Sequence, residues 1–224
     1  MHCEVSRQEV IMPGGIELTK EAEQHIGLGP STTMLSVACG TGELELYLAE
    51  KYKCHIVGID LGEGFIRTAR EKTAARNLDD LASFEIGDGN SLTFEEASFD
   101  AVFCSGALCA FFDNGLREFH RVLKPGGRAV VIDVIWRRED LPKEVADRWT
   151  EGTADILTVN GNCAAFAEKG FLVLFARAYH EPSWWDAYYE DRGAAPYWIA
   201  EHKKYKRDQE CLGLGLFVLE KTAT

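Results

Sequence analysis

Residues 34–51, MLSVACGTGELELYLAEK, set the tightest limit on what this chain can fold into. An apolar run passes into a short turn carrying Gly40 and Gly42, and the turn opens a helical period in which glutamates alternate with leucines. A strand, a glycine turn and a helix N-terminus together make a binding place for an anionic or polar group. The free N–H groups of the first helical turn point outward, and glycine lets the backbone approach closely. In open α/β sheets such ligands lie beyond the carboxyl ends of the strands, where the strand order reverses.

The same rhythm continues along the chain. Apolar runs and helical periods alternate with short polar punctuation, which predicts a largely parallel sheet covered on both faces. Strands are expected at 34–38, 55–60, 82–86, 99–104 and 128–134, with helices at 42–51, 64–76 and 114–123 between them. Asp113 is placed to cap the third helix, and KPGG at 124–127 to turn the chain into the next strand. After Trp136 the pattern changes. Residues 137–158 are charged and helical in part, 159–169 read as a helix closed by Gly170, and 171–178 and 212–219 read as late strands. Between those strands lies a segment holding Trp184, Trp185 and Trp198 of the five tryptophans, with most of the tyrosines.

Bulk properties exclude several classes. A net charge of −12 disfavours a phosphate-backbone partner, which demands a basic face, so no nucleic acid is expected. No apolar run reaches the ~20 residues that span a bilayer. The start, MHCEVSRQEV, lacks the layout of a signal peptide. Seven cysteines without a Cys-x-x-Cys pair resemble reduced thiols, and no pair of close-spaced ligands predicts a structural metal. A cytoplasmic, metal-free, single-domain protein without a membrane segment is the expectation.

The glycine turn could hold three kinds of nucleotide. A P-loop needs Gly-Lys-Ser/Thr to reach phosphates and magnesium, and GTGELE has none. The dinucleotide pattern needs a small third residue over the pyrophosphate. Counted from Gly40 that position is Glu45, and from Ala38 it is Glu43, so a carboxylate would face two phosphates.

The third kind is S-adenosylmethionine (SAM), and here several stretches agree in order and spacing. VACGTG at 37–42, VGID ending at Asp60, IGDGN around Asp88, FDAVFCSGALCAF at 99–111, REFHRVLKPGGRAVVID at 117–133 and the late LGLGLFVLEK resemble a class I SAM-dependent methyltransferase of the small-molecule group. The family's first motif is acidic-x-Gly-x-Gly-x-Gly; here its positions are Ser36, Ala38, Gly40 and Gly42.

The resemblance implies a Rossmann-like, doubly wound sheet of seven strands, mostly parallel with an antiparallel last strand. It implies a domain over 1–224: an N-terminal lid over 1–30, a SAM-binding core over 31–136, and a substrate-side half over 137–224 with an aromatic insertion at 179–211. Around the cofactor it places Ala38, Gly40, Gly42, Asp60, Leu61, Asp88, Gly89, Asn90 and Ser105. Asp60 would accept both ribose hydroxyls and Asp88 the adenine amino group. MPGGIELTKEAEQHI at 12–26 resembles the leading helix that folds over bound SAM, hinged at Pro13, Gly14 and Gly15.

Each candidate has a plainer reading beside it. Asp60 and Asp88 also suit turns. Cys109, with Cys104, would flank the loop under the methyl group and could join acceptor chemistry, but cysteine there is more often a small buried hydrophobe. His180 would sit near the cleft mouth, and His120 lies on a helix that is structural in the family. Trp136 could wall the acceptor or pack in the core. Trp184/Tyr188 and Trp185/Tyr189 are spaced i, i+4 and form two stripes on a helix. They could wall the acceptor site, with cation–π attraction to a sulfonium, or pack on the sheet; a homodimer could use an exposed stripe as well. The expected reaction is methyl transfer from SAM to a small N, O, S or C nucleophile. A silent SAM-binding sensor or scaffold and a protein methyltransferase are the alternatives.

Overall fold

The computed structural model describes residues 12–150 and 156–222. The N-terminal part of the expected lid (1–11) and part of the charged stretch (151–155) lie outside the described residues. The elements run α1 (Gly15–Ile26), β1 (Thr33–Val37), α2 (Glu43–Tyr52), β2 (His55–Asp60), α3 (Glu63–Arg76), β3 (Ala82–Ile86), β4 (Phe99–Ser105), a 3-10 turn (Leu108–Ala110) and α4 (Phe112–Val122). They continue β5 (Leu123–Trp136), α5 (Lys143–Thr150), α6 (Val159–Glu168), β6 (Phe171–Tyr179), α7 (Pro182–Asp191), α8 (Pro196–Asp208) and β7 (Leu212–Lys221).

The seven strands form one sheet in the order β3-β2-β1-β4-β5-β7-β6. The pairs from β3 to β5 are parallel, and β7 runs antiparallel to both β5 and β6. Both faces are buried, and alternate residues of each strand serve opposite cores. Met34, Ala101, Phe103, Val130 and Ile132 point to the face covered by α1, α2, α3 and the α7–α8 hairpin. Leu35, Val102, Cys104, Ala129 and Val131 point to the face covered by α4 and α6.

Several boundaries differ from the sequence reading. β1 stops at Val37 and Ala38 has a left-handed backbone, φ 59°, so it belongs to the turn. Gly42 caps α2 at φ 74° rather than starting the helix. Asp113 is not the cap of α4: Phe111 occupies that position, and Asp113 sits in the first turn paired with Lys169. There its charge meets the positive helix end. KPGG does not separate α4 from β5. It is a bulge inside β5, where Phe99 pairs Leu123 and the next pairing is Ala101 with Arg128, with Gly126 left-handed at φ 73°. The aromatic segment between β6 and β7 is a helical hairpin, with Pro182 and Pro196 in the first turns of its two helices.

Strand order reverses between β1, whose chain leaves through α2 toward β2, and β4 on its other side. The loops after these two strands, 38–42 and 106–111, therefore meet at one edge of the sheet. That is where a doubly wound sheet holds its ligand.

Candidate cofactor site

The turn after β1 is shaped by left-handed residues at Ala38, Gly40 and Gly42. It is tied to the end of β2: the Cys39 N–H donates to the Ile59 carbonyl at 3.0 Å, and the Gly40 N–H donates to Asp60 Oδ2 at 2.9 Å. The other oxygen of Asp60 accepts from the Gly62 N–H at 2.8 Å. One carboxylate thus braces two loops across the cleft mouth. Gly42 is required twice over, because a Cβ there would lie 2.7 Å from the Phe84 ring as well as on a strained backbone. Beside Asp60, Leu61 is 70% exposed, and Ile86, the register partner of Asp60 on β3, is 57% exposed. Two bare apolar side chains thus flank a partly buried acid.

Behind the turn lies a cleft of about 380 Å³ lined by Met12, Ser36, residues 38–41, residues 43–45 and Ser105. Two glutamates of α2 reach it in different electrostatic states. Glu43 is paired with Lys72 at 3.0 Å and with Arg76 of α3. Burial raises its carboxyl, but the bonds from Arg76 and Lys72 outweigh that and hold it below the ordinary carboxylate range. Glu45 is buried and accepts a 2.6 Å bond from the Ser36 hydroxyl. Burial pushes it up to about 7; the Ser36 bond offsets part of the rise, and the charges of Glu43 and Asp60 add to it. Cys39 is raised far above the ordinary thiol range, first by burial and then by Glu45 and Asp60, so it stays protonated.

A second cleft of about 330 Å³ is lined by Met12, residues 14–17, Trp184, Ala187, Tyr188 and Asp191. Met12 borders both clefts, and its sulfur accepts a 3.0 Å bond from the Ser105 hydroxyl. Gly14, left-handed at φ 63°, brings the start of α1 against the Trp184 ring where any side chain would collide. The two aromatic stripes of α7 divide as their spacing implies. Trp185 and Tyr189 face inward, Trp185 stacking on Tyr205 at 4.5 Å. Trp184 and Tyr188 stay half-buried along the cleft, and the Arg192 guanidinium lies 4.6 Å over the Tyr188 ring.

The remaining candidates are dispersed. The exposed Asp88 turns its Oδ1 to its own loop, accepting from the Asn90 N–H at 2.8 Å and from Asn90 Nδ2 at 3.0 Å, while Gly89 packs beneath. Cys109 borders a different cavity, with Asp133 and Asn162. Its N–H donates to Asp133 at 2.8 Å, and its thiol is pushed up to about 12 by burial and by the Asp133 charge. Trp136 is 6% exposed within the core. His180 follows β6 half-buried, outside the linings of both clefts, and His120 packs edge-on against Phe171. The sequence reading missed Met12 and the Ser36–Glu45 pair. It had noticed Glu45 only as an obstacle to pyrophosphate.

Residues 34–127 match the family described as a methyltransferase domain. The phosphoethanolamine N-methyltransferase of Triticum aestivum is 34% identical over 128 residues, which cover 56% of this chain and 25% of that one. The chain therefore corresponds to about a quarter of that relative's length. Among solved structures, the [4+2]-cyclase SpnF superposes with a TM-score of 0.81 at 24% identity, covering 93% of this chain and 82% of that one. The geranyl diphosphate C-methyltransferase of Streptomyces coelicolor, in complex with Mg2+, geranyl diphosphate and S-adenosyl-L-homocysteine, superposes at 0.79 and 16% identity, covering 92% and 77%. Residues 34–127 thus carry the features of a methyltransferase domain, and the relatives and the shared fold support a class I SAM-dependent methyltransferase. The chain's residues suit that family's cofactor: a tight glycine turn, a carboxylate beside bare apolar side chains, and a buried acid in the cleft. Among the described residues no helix is long and apolar enough to cross a membrane, and no cluster of acidic, His or Cys residues could hold a metal ion.

Proposed function

We propose that this domain transfers the methyl group of SAM to a small-molecule nucleophile. The observation that carries the reading is the junction of two clefts at Met12, one behind the Asp60-braced glycine turn and one walled by Trp184 and Tyr188. When bound, SAM would supply a methyl group on a positive sulfur, which an aligned acceptor nucleophile would displace in line with a neutral thioether as the leaving group. The chain's part is alignment and exclusion of water, for which effective molarities of up to ~10⁵–10⁸ M show the scale available. Gly40 and Gly42 admit the cofactor's close approach, Asp60 keeps lone pairs for ribose hydroxyls, and Leu61 and Ile86 offer apolar surface to a base.

On the acceptor side, the second cleft is lined by the rings of Trp184 and Tyr188 with a few polar groups, Glu17 and Asp191 among them, the make-up of a small-molecule site. Trp184 and Tyr188 contribute walls that exclude water, and α1 with Met12 closes the top. Cys109 does not act as a base in this reading, because its thiol holds its proton at neutral pH. The wheat relative is named for phosphoethanolamine and the Streptomyces structure for geranyl diphosphate, both small acceptors.

Calorimetric titration with SAM, S-adenosylhomocysteine and NAD, repeated on Asp60→Ala, tests the cofactor. Binding of the sulfur ligands, no binding of NAD, and a loss on the order of 100-fold in the variant are expected, since a hydrogen-bonded charged group is removed. A labelled-methyl assay against small thiols, amines and phenols then seeks the acceptor. Cofactor binding with no transfer to any acceptor class would favour a sensor built on the same fold, in which Met12 keeps the two clefts apart.

A further inference from the structure

We propose that Glu45, presented by α2 and held by the Ser36 hydroxyl, is the anionic anchor for the α-ammonium group at the amino-acid end of SAM. The inference rests on the SAM-binding reading above and assigns a residue within that site.

The contrast with Glu43, two positions earlier on the same helix, carries the argument. Both carboxylates are buried, at 2% and 3% exposure, and both border the cleft behind the glycine turn. Glu43 already has two cations, Lys72 and Arg76. Glu45 has a neutral hydroxyl donor and pairs with no cation among the described residues. Every titratable group described as acting on Glu45 has the same sign: Glu43, partly neutralised by its partners, and Asp60, with the protonated Cys39 thiol nearby. A buried carboxylate in that company is costly unless a positive group joins it.

The site is built for such a group to enter. Ser36 fixes one carboxylate oxygen, and the cleft is bordered by two further neutral groups, the Ser105 hydroxyl and the Met12 thioether. Position 36 is also where the methyltransferase motif has its acid, and here the serine serves instead to orient a carboxylate in the first turn of α2. The negative charge has moved from the strand to the helix.

The test is calorimetric binding by the full chain, wild type and Glu45→Gln, of S-adenosylhomocysteine and of 5′-methylthioadenosine. The second ligand has the nucleoside and thioether but no amino-acid end. The expected result for Glu45→Gln is a loss on the order of 10- to 100-fold for S-adenosylhomocysteine, the scale of a charge-assisted bond, with methylthioadenosine binding unchanged. Adding Ser36→Asp to Glu45→Gln should recover part of the loss. An independent readout uses the wild type alone. Near pH 7, S-adenosylhomocysteine should release a proton from the protein, counted by comparing buffers of different ionisation enthalpy, whereas methylthioadenosine should release none.

Equal affinity of wild type and Glu45→Gln for S-adenosylhomocysteine, or equal losses for both ligands, would overturn the assignment while leaving the cofactor reading intact. A wild type that binds neither ligand would overturn both.

Discussion

The two clefts that meet at Met12 are made of different materials. The cleft behind the glycine turn is formed by backbone and charge: left-handed turn residues, the Asp60 carboxylate spanning two loops, and two glutamates in opposite electrostatic states. The second cleft, which we propose takes the acceptor, is formed by ring surfaces and a helix start, Trp184 and Tyr188 against residues 14–17. The first can recognise one polar ligand with fixed geometry. The second can exclude water around acceptors of varied shape and is where a family of this kind can change substrate while keeping its cofactor. The nearness of a solved [4+2]-cyclase to this fold makes the same point about how much chemistry the frame admits.

That division predicts unequal responses to mutation. The largest effect is expected inside the hairpin that supports the acceptor wall. Trp185 is buried in a stack with Tyr205, so Trp185→Ala should cost about 3–5 kcal/mol of folding stability, measured by urea unfolding. A cost below about 1 kcal/mol would show that the hairpin is not a supporting layer.

A smaller effect distinguishes the two glutamates. Glu45 titrates at about 7 in the native state against about 4.3 in an unfolded chain, so between those values the native state holds a proton that the unfolded state has lost. Stability from this source is full below about pH 4.3 and declines as pH rises toward 7, with a slope of at most about 1.4 kcal/mol per pH unit. Comparing wild type with Glu45→Gln across pH 4–8 should remove that decline. Glu43, held below its ordinary range, has the opposite sign: its contribution is present above the unfolded value and lost in acid. Parallel pH profiles for wild type and Glu45→Gln would erase the contrast between the glutamates.

The smallest effect on stability is expected at the half-buried stripe. Trp184→Ala should leave cofactor affinity within about twofold and raise the acceptor KM, because its ring borders only the second cleft. A matching loss of cofactor affinity would mean that the two clefts act as one.

The strongest sequence signals were local ones. Asp60 is 20 residues from the turn it braces, and the strand–turn–helix order between them leaves it one place to go. The seven strands and most helices were legible because period-2 and period-3.6 patterns record which face is buried. KPGG was less so: a glycine-rich turn and a bulge share a composition, and only the pairing of Phe99 with Leu123 decides that β5 runs through it. Asp113 looked like a cap because composition cannot show that Phe111 already holds that position.

The sequence by itself determined the doubly wound frame, the glycine turn and the carboxylate at the end of β2, because each depends on neighbours within one strand–helix unit. Tertiary structure decided the rest. Packing α1 across the sheet put Met12 against Ser105, 93 residues away in the chain, and put Gly14 against Trp184. It also chose which of two nearby glutamates would meet Lys72 and Arg76 and which would be buried against Ser36. Side-chain partners drawn from distant segments leave no period in a sequence, since which ones meet is fixed only when the layers close.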